Sequence, residues 1–212
     1  LSPFGLVALK FSSVLDFGEK AQLVSSVISL NWISVNMETD RLKLLPPSME
    51  YQPLMLEAIR ESQDELGVYL PWVPFALTEA ESIENTQQAI NNFENFEGEL
   101  RYSIIEKSTG RFLGAIGLII RDKSVPFFEI GYWMRSSSVG NGFISEAVKT
   151  IESYAFNELK ANRVEIKAAE QNLKSRMVAE RGGYAFEGIL RNDRRLPSGE
   201  LSGTAVYSKT GI

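Results

Sequence analysis

The chain contains no cysteine and no histidine. The first absence excludes disulfides, a thiolate nucleophile and cysteine metal sites. The second removes imidazole general bases, Ser-His-Asp triads and most zinc enzymes. No metal is expected, and acid–base chemistry falls to carboxylates, tyrosine, lysine, hydroxyls or water. Long apolar runs are missing too: none reaches the roughly 18 residues that a membrane span needs, so no membrane partner is expected. Positive charge is in short supply, with 22 Lys and Arg against 27 Asp and Glu, a net charge of −5. Such a balance argues against direct nucleic-acid binding, which calls for a basic patch. It is compatible with a cationic or amine-bearing substrate, although by itself it need only keep a cytoplasmic protein soluble. What is present is an ordinary globular composition, 44% hydrophobic and 23% charged over 212 residues, enough for one domain or one domain with an appendage.

Residues 1–36 read as the appendage. Their charged residues, Lys10, Asp16, Glu19 and Lys20, cancel, and there is no basic start or small-residue cleavage site of a secretory signal. Met37 opens "METDRLKLLPP" like a natural start. The expectation is an accessory, upstream segment without a catalytic role, with a helical interaction arm as the rival, and a domain over 37–212.

From Met37 helical and strand patterns mix. Leu42–Leu45 alternates and stops at Pro46-Pro47, a strand. Residues 53–66 carry helical spacing up to Gly67. Thr78 with Glu81 three residues on forms a capping box, opening a helix to about Phe93. Leu100–Glu106 and Arg111–Ile120 read as a hairpin joined by "KSTG", and Phe127–Met134 as the next strand. Residues 143–159 give the clearest helix, with Ile144, Ala147, Val148, Ile151 and Ala155 on one face. A strand at Arg163–Ala168, a short helix capped by Asn172, and strands near 184–191 and 201–208 complete the pattern.

The order strand, glycine turn, helix, strand over 127–168 is one βαβ unit. At its centre Gly140-Asn141-Gly142 stands at the mouth of the long helix. Helix N-termini present unpaired amides and partial positive charge, which suits phosphate, and glycine lets backbone approach a ligand. A plain tight turn is the competing reading. A Walker loop fails because Phe143-Ile144 follows Gly142. A dinucleotide fingerprint lacks its third glycine, Ser145 standing in that place, and several strands precede the motif.

The stretches "EIGYWMRSSSVGNGFISEAV" and "NRVEIKAAEQNLKSRMVAERGGYAFEGILR", in that order and spacing, strongly resemble the GNAT superfamily of acyl-CoA-dependent N-acetyltransferases. Within it they resemble the ribosomal-protein alanine/serine N-acetyltransferase (RimJ/RimL-like) group. The resemblance runs from Met37 to the C-terminus and includes Tyr69–Trp72. It implies an α/β fold of the mixed, α+β kind: a central sheet of about seven strands, about four flanking helices, and splayed parallel strands 4 and 5. It implies a transferase moving acetyl from acetyl-CoA, as co-substrate, to a primary amine by direct attack in a ternary complex. The acceptor implied is a protein N-terminus; polyamines, aminoglycosides and amino sugars stay open, because "LSGTAVYS" lacks an acidic residue that several relatives carry. The protein would be a cytoplasmic monomer or homodimer. Rivals of other classes are a CoA-binding scaffold without activity and a Rossmann-type dinucleotide binder.

The resemblance also implies roles. The CoA pyrophosphate would lie on backbone amides of Val139, Gly140, Asn141, Gly142, Phe143, Ile144 and Ser145. Val139 replaces the family's usual Gln or Arg, and Arg135 would restore charge. Tyr132, Trp133 and Met134 would meet pantetheine through main chain, with Asn172 beside it. Ser175 would bond or protonate the leaving thiolate. The family's glutamate base falls at Arg194, so Asp193, one residue earlier, Glu129, or water with the acidic residues only attracting the amine, is expected in its place. Tyr69, Trp72, Phe75 and Glu65 are expected around the acceptor.

Overall fold

The computed structural model describes residues 37–211. The extension 1–36 and the boundary at Met37 expected from sequence lie outside or at the edge of those residues.

Eight strands form one sheet in the order β1-β2-β3-β4-β5-β6-β8-β7, with β1 Met37–Glu38, β2 Leu42–Leu45, β3 Glu99–Glu106, β4 Phe112–Asp122, β5 Phe127–Met134, β6 Arg163–Ala169, β7 Ala185–Arg195 and β8 Leu201–Thr210. Among the described residues the α-helices are α1 Gln52–Glu61, α2 Gln63–Gly67, α3 Glu79–Asn95, α4 Phe143–Asn157 and α5 Leu173–Arg181. Two-residue β1 and short α2 account for the excess over the expected counts.

Alternation drives the strands. In β3, Leu100, Tyr102 and Ile104 point into the core and are at most 2% exposed. In β4, Phe112 through Leu118 are buried on both faces, because helices cover both sides of this central strand. The α3 capping box forms as the spacing requires: Thr78 Oγ1 accepts from the Glu81 amide at 3.2 Å and Glu81 Oε2 from the Thr78 amide at 3.0 Å. On α4, Ala147, Val148, Ile151 and Ala155 are buried while Lys149 is exposed. Ile144 is only half-buried, and Phe143 takes the core position at the helix mouth.

The single helix expected over 53–66 is instead two, broken at Ser62. Ser62 is fully buried, and its hydroxyl accepts from the Ser136 amide at 2.9 Å. The break lets that hydroxyl satisfy a donor at the end of β5.

Among the described residues one strand pairing is parallel. β5 and β6 pair only at Phe127↔Arg163, Phe128↔Val164 and Glu129↔Glu165. Beyond Glu129, β5 follows β4 as far as Gly114↔Met134, while β6 follows β8 as far as Ala169↔Thr204. The two strands therefore diverge, opening the middle of the sheet.

Candidate active site

A cavity of about 490 Å³ occupies this opening, within the size range of small-ligand sites. Ile130 to Trp133 of β5 line one wall and Lys167 to Ala169 of β6 the other, with Tyr69–Trp72, Asn172, Ser175 and Arg194 around the rim. Main-chain groups of β5 past Glu129 face no second strand, so an extended chain can pair there as a strand would.

At the C-terminal end of the split, α5 begins. The Asn172 side chain accepts from the Ser175 amide at 3.2 Å, a side-chain N-cap. That cap turns Ser175 into the cavity, where its Oγ lies 2.9 Å from Tyr132 Oη. Tyr132 Oη also donates to the Ser175 carbonyl at 3.1 Å. Sequence reading placed Tyr132 here for its main chain; the phenol–serine pair was not foreseen, because the two residues are 43 positions apart and no local pattern links them.

Burial raises the Tyr132 phenol to about 12, against a smaller lowering by the Ser175 hydrogen bond. The phenol therefore keeps its proton across the physiological range. Burial also raises Tyr102 and Tyr184, both at most 5% exposed. A raised native value means that the unfolded chain ionises first. Stability is therefore level below pH about 10 and falls above it, by about 1.4 kcal/mol per pH unit for each such tyrosine. Phenolate absorbance followed during alkaline titration is expected to rise in step with loss of the native fold; early ionisation of most tyrosines in a folded sample would contradict this.

The glycine loop lies at the mouth of α4. Gly140 and Gly142 have φ of 92° and 78°, and Gly142 is the helix N-cap in left-handed conformation. The amides of residues 140–145 have no hydrogen-bond acceptor among the described residues; the helix's first bond to the loop runs from the Glu146 amide to the Gly142 carbonyl at 3.1 Å. A row of unpaired amides at a helix N-terminus fits a diphosphate. Val139, 48% exposed, offers no polar group. The cation beside the loop is Arg41, from the β1–β2 turn. It donates to the Asn141 carbonyl at 3.0 Å, pairs with Glu146 at 2.5 Å and stacks 4.6 Å from the Phe143 ring centroid. Its distance in sequence hid it.

Several expected residues lie elsewhere. Arg135 does not serve the loop: its side chain is 5% exposed and pairs with Glu57 at 2.9 Å and Glu61 at 3.3 Å on α1. It is a fastener between β5 and α1. Because both carboxylates keep more water than the guanidinium, their loss is costlier than its own. Glu57→Ala with Glu61→Ala strands a buried cation and is expected to cost about 3 kcal/mol, whereas Arg135→Met, which lets both glutamates rehydrate, costs less than half of that. Urea midpoints of the two variants test the order.

Asp193 does not face the cavity. Between Leu190↔Thr204 and Arg194↔Ser202 the strand β7 bulges, Asn192 takes φ 51°, and Asp193 is exposed on the bulge. The bulge brings Arg194 to the cavity instead. Glu129 does line the cavity, but Arg121 holds its Oε2 at 2.6 Å and Lys167 lies 3.5 Å from the same oxygen. Both cations engage the same oxygen, so Oε2 is already an occupied hydrogen-bond acceptor. Of the acceptor candidates, Tyr69 and Trp72 line the cavity, the latter with its ring 6.1 Å from that of Trp133. Phe75, 73% exposed, and Glu65, also exposed, lie outside it. Glu99 and Arg101, 3.3 Å apart, line it without having been anticipated.

Comparison with known proteins agrees with this geometry. A family profile described as acetyltransferase (GNAT) domain matches residues 41–185. YdaF of Bacillus subtilis (strain 168), provisionally named a ribosomal N-acetyltransferase, is 33% identical over 145 residues, 65% of this chain and 74% of its own. YjcK of the same organism, provisionally named an N-acetyltransferase, is 36% identical over 100 residues; the match spans 46% of this chain and 55% of YjcK, about half its length. Among solved structures, the microcin C7 self-immunity acetyltransferase MccE, in complex with acetyl-CoA and AMP, superposes with a TM-score of 0.76 at 24% identity, covering 85% of this chain and 99% of that one. RimL, the ribosomal L7/L12 alpha-N-protein acetyltransferase in complex with CoA, gives 0.77 at 20% identity over 84% and 97%. These two likenesses are of fold.

Proposed function

The chain belongs to the acetyltransferase (GNAT) family, and from that membership we propose that it transfers the acetyl group of acetyl-CoA to the N-terminal amine of a protein in the cytoplasm. The observation that carries the reading is the row of unpaired amides at 140–145, set at the head of α4 beside a sheet split at β5. Relatives named for ribosomal acetylation support the acceptor class.

Acetyl-CoA supplies an activated thioester. The amides of residues 140–145 would hold its diphosphate, with Arg41 beside them, and the open edge of Tyr132–Met134 would hold the pantetheine arm. The cavity brings the acceptor amine to the thioester carbon, replacing a bimolecular encounter by a held geometry. As the new C–N bond forms and the C–S bond breaks, Ser175 gives its hydroxyl proton to the departing sulfur. Tyr132 bonds Ser175 and returns a proton to it from solvent. The amine's own proton goes to water, since Glu129 is held by two cations and Asp193 faces solvent.

Thiol release from acetyl-CoA, measured with peptides starting in Ala or Ser and with polyamines, aminoglycosides and amino sugars, tests the reading. Turnover on peptides is expected. Turnover on small amines alone overturns the protein acceptor, and CoA binding without turnover on any amine overturns the enzyme in favour of a scaffold.

A further inference from the structure

The cavity collects positive charge in an acidic chain. Three of its lining residues are cations, Arg101, Lys167 and Arg194, and two are carboxylates, Glu99 and Glu129. Both carboxylates are already engaged, Glu99 by Arg101 at 3.3 Å and Glu129 by Arg121 and Lys167 at 2.6 and 3.5 Å. Lys167 also binds Glu165 at 2.9 Å. Arg194 alone among these cations has no carboxylate within ion-pair distance among the described residues.

Arg194 is nevertheless held in place. The bulge in β7 aims it at the cavity, and its Nε donates to Thr204 Oγ1 at 2.8 Å. Nε is thereby used, and the terminal nitrogens, with their four N–H bonds, have no protein acceptor among the described residues. A half-buried guanidinium whose stem is fixed and whose fork is unpaired is prearranged for a carboxylate or phosphate, which it can bind with two parallel hydrogen bonds. Thr204 pairs with Ala169, which with Asn172 lines the wall next to Ser175. The fork therefore belongs to the region where the acceptor is placed, while the loop at 139–145 lies outside the cavity lining.

We propose that Arg194 is an anion subsite for the acceptor, which carries an acidic group close to its reacting amine. This rests on the reading of the protein as an acetyltransferase of N-terminal amines, where the anion is an acidic side chain near the peptide's start. Only Ala169 and Asn172 of the wall separate Thr204, which holds the fork, from Ser175, so the anion it takes must lie within a few residues of the reacting amine. The favoured acidic residue is accordingly the second or third. The charge of the whole chain thus misleads: acidic overall, it presents an unpaired cation to its substrate.

The test compares peptides identical except for Glu or Gln at positions 2 and 3, by kcat/KM and by calorimetric binding to the CoA-loaded protein. The Glu peptide is expected to be preferred by about tenfold or more in both, the usual scale of a charge-assisted pair. Arg194→Ala should bring the Glu/Gln ratio close to one, Arg194→Glu should invert it, and Arg194→Lys should keep part of it. CoA affinity, measured for each variant, reports an intact fold. A wild-type ratio near one, or a ratio that survives Arg194→Ala, overturns the proposal. Glucosamine 6-phosphate against glucosamine provides a separate arm. If no peptide is used but the phosphorylated amine is preferred through Arg194, the protein acceptor falls and the anion subsite stands. If peptides are used without regard to Glu or Gln, the acceptor stands and the subsite falls.

Discussion

Replacing Gly140 and Gly142 together by valine is expected to weaken CoA binding at least about a hundredfold while leaving the fold in place. Both residues have positive φ, 92° and 78°, where a β-branched side chain costs about 1–2 kcal/mol apiece. Crowding is not the cause: a Cβ at Gly140 meets nothing within 4 Å, and one at Gly142 meets only Arg41 Nη2 at 3.7 Å. With the flexible Arg41 side chain as its neighbour, the loop relieves the strain by leaving this conformation rather than by unfolding the domain. What is lost is the shared aim of the amides at 140–145, and binding falls with it. Gly199, in the β7–β8 turn with φ 91° and no neighbour within 4 Å, is the control. Valine there carries the same backbone cost and should leave CoA affinity unchanged. Calorimetric titration with CoA and a thermal melt separate the two effects, and an unaltered affinity in the folded double variant would remove the loop from the site.

The parts of this molecule legible in its sequence are those coded by neighbours. The α3 capping box, the α5 cap at Asn172, the apolar face of α4 and the glycine loop each lie within a few residues of chain, and each stands where its local pattern puts it. The failures have the opposite character. Ser62 breaks a helix because a donor 74 positions away needs its hydroxyl. Arg135 is drawn from the loop by carboxylates on α1, 78 positions back for Glu57. The bulge in β7 carries Asp193 out and Arg194 in, although reading one register or the other from "RNDRRL" is equally consistent with alternation. Glu129 lines the cavity, yet Arg121 and Lys167, both distant from it in sequence, already bind its Oε2. Residue type predicts capacity, and only tertiary contacts decide whether a carboxylate is free to use it. The family resemblance supplied the split sheet, which composition and periodicity do not encode: β5 and β6 both read as ordinary strands.

Ser175→Ala is expected to lower kcat about a hundredfold with little change in acetyl-CoA affinity, at the lower end of what a positioned proton donor contributes. The hydroxyl belongs to the first turn of α5, where the Ser175 amide donates to the Asn172 side chain; that backbone donor survives the substitution, so the helix start is preserved. Tyr132→Phe removes the partner at 2.9 Å and should reduce kcat less, since Ser175 still faces the cavity and water can replenish it. The two losses should not add, because each residue acts through the other. The phenol, raised to about 12, still holds its proton at the pH of about 8 where an N-terminal amine becomes neutral. The wild-type rate should therefore rise with amine deprotonation and show no falling limb below pH about 10. The decisive measurement changes the leaving group. An acetyl thioester of a more acidic thiol departs without protonation, so the Ser175→Ala defect should shrink towards wild type with it. A structural role for the serine predicts the same defect with either donor. An equal loss on both thioesters, or an unchanged kcat with acetyl-CoA, would take the proton from Ser175 and leave departure of the thiolate to solvent.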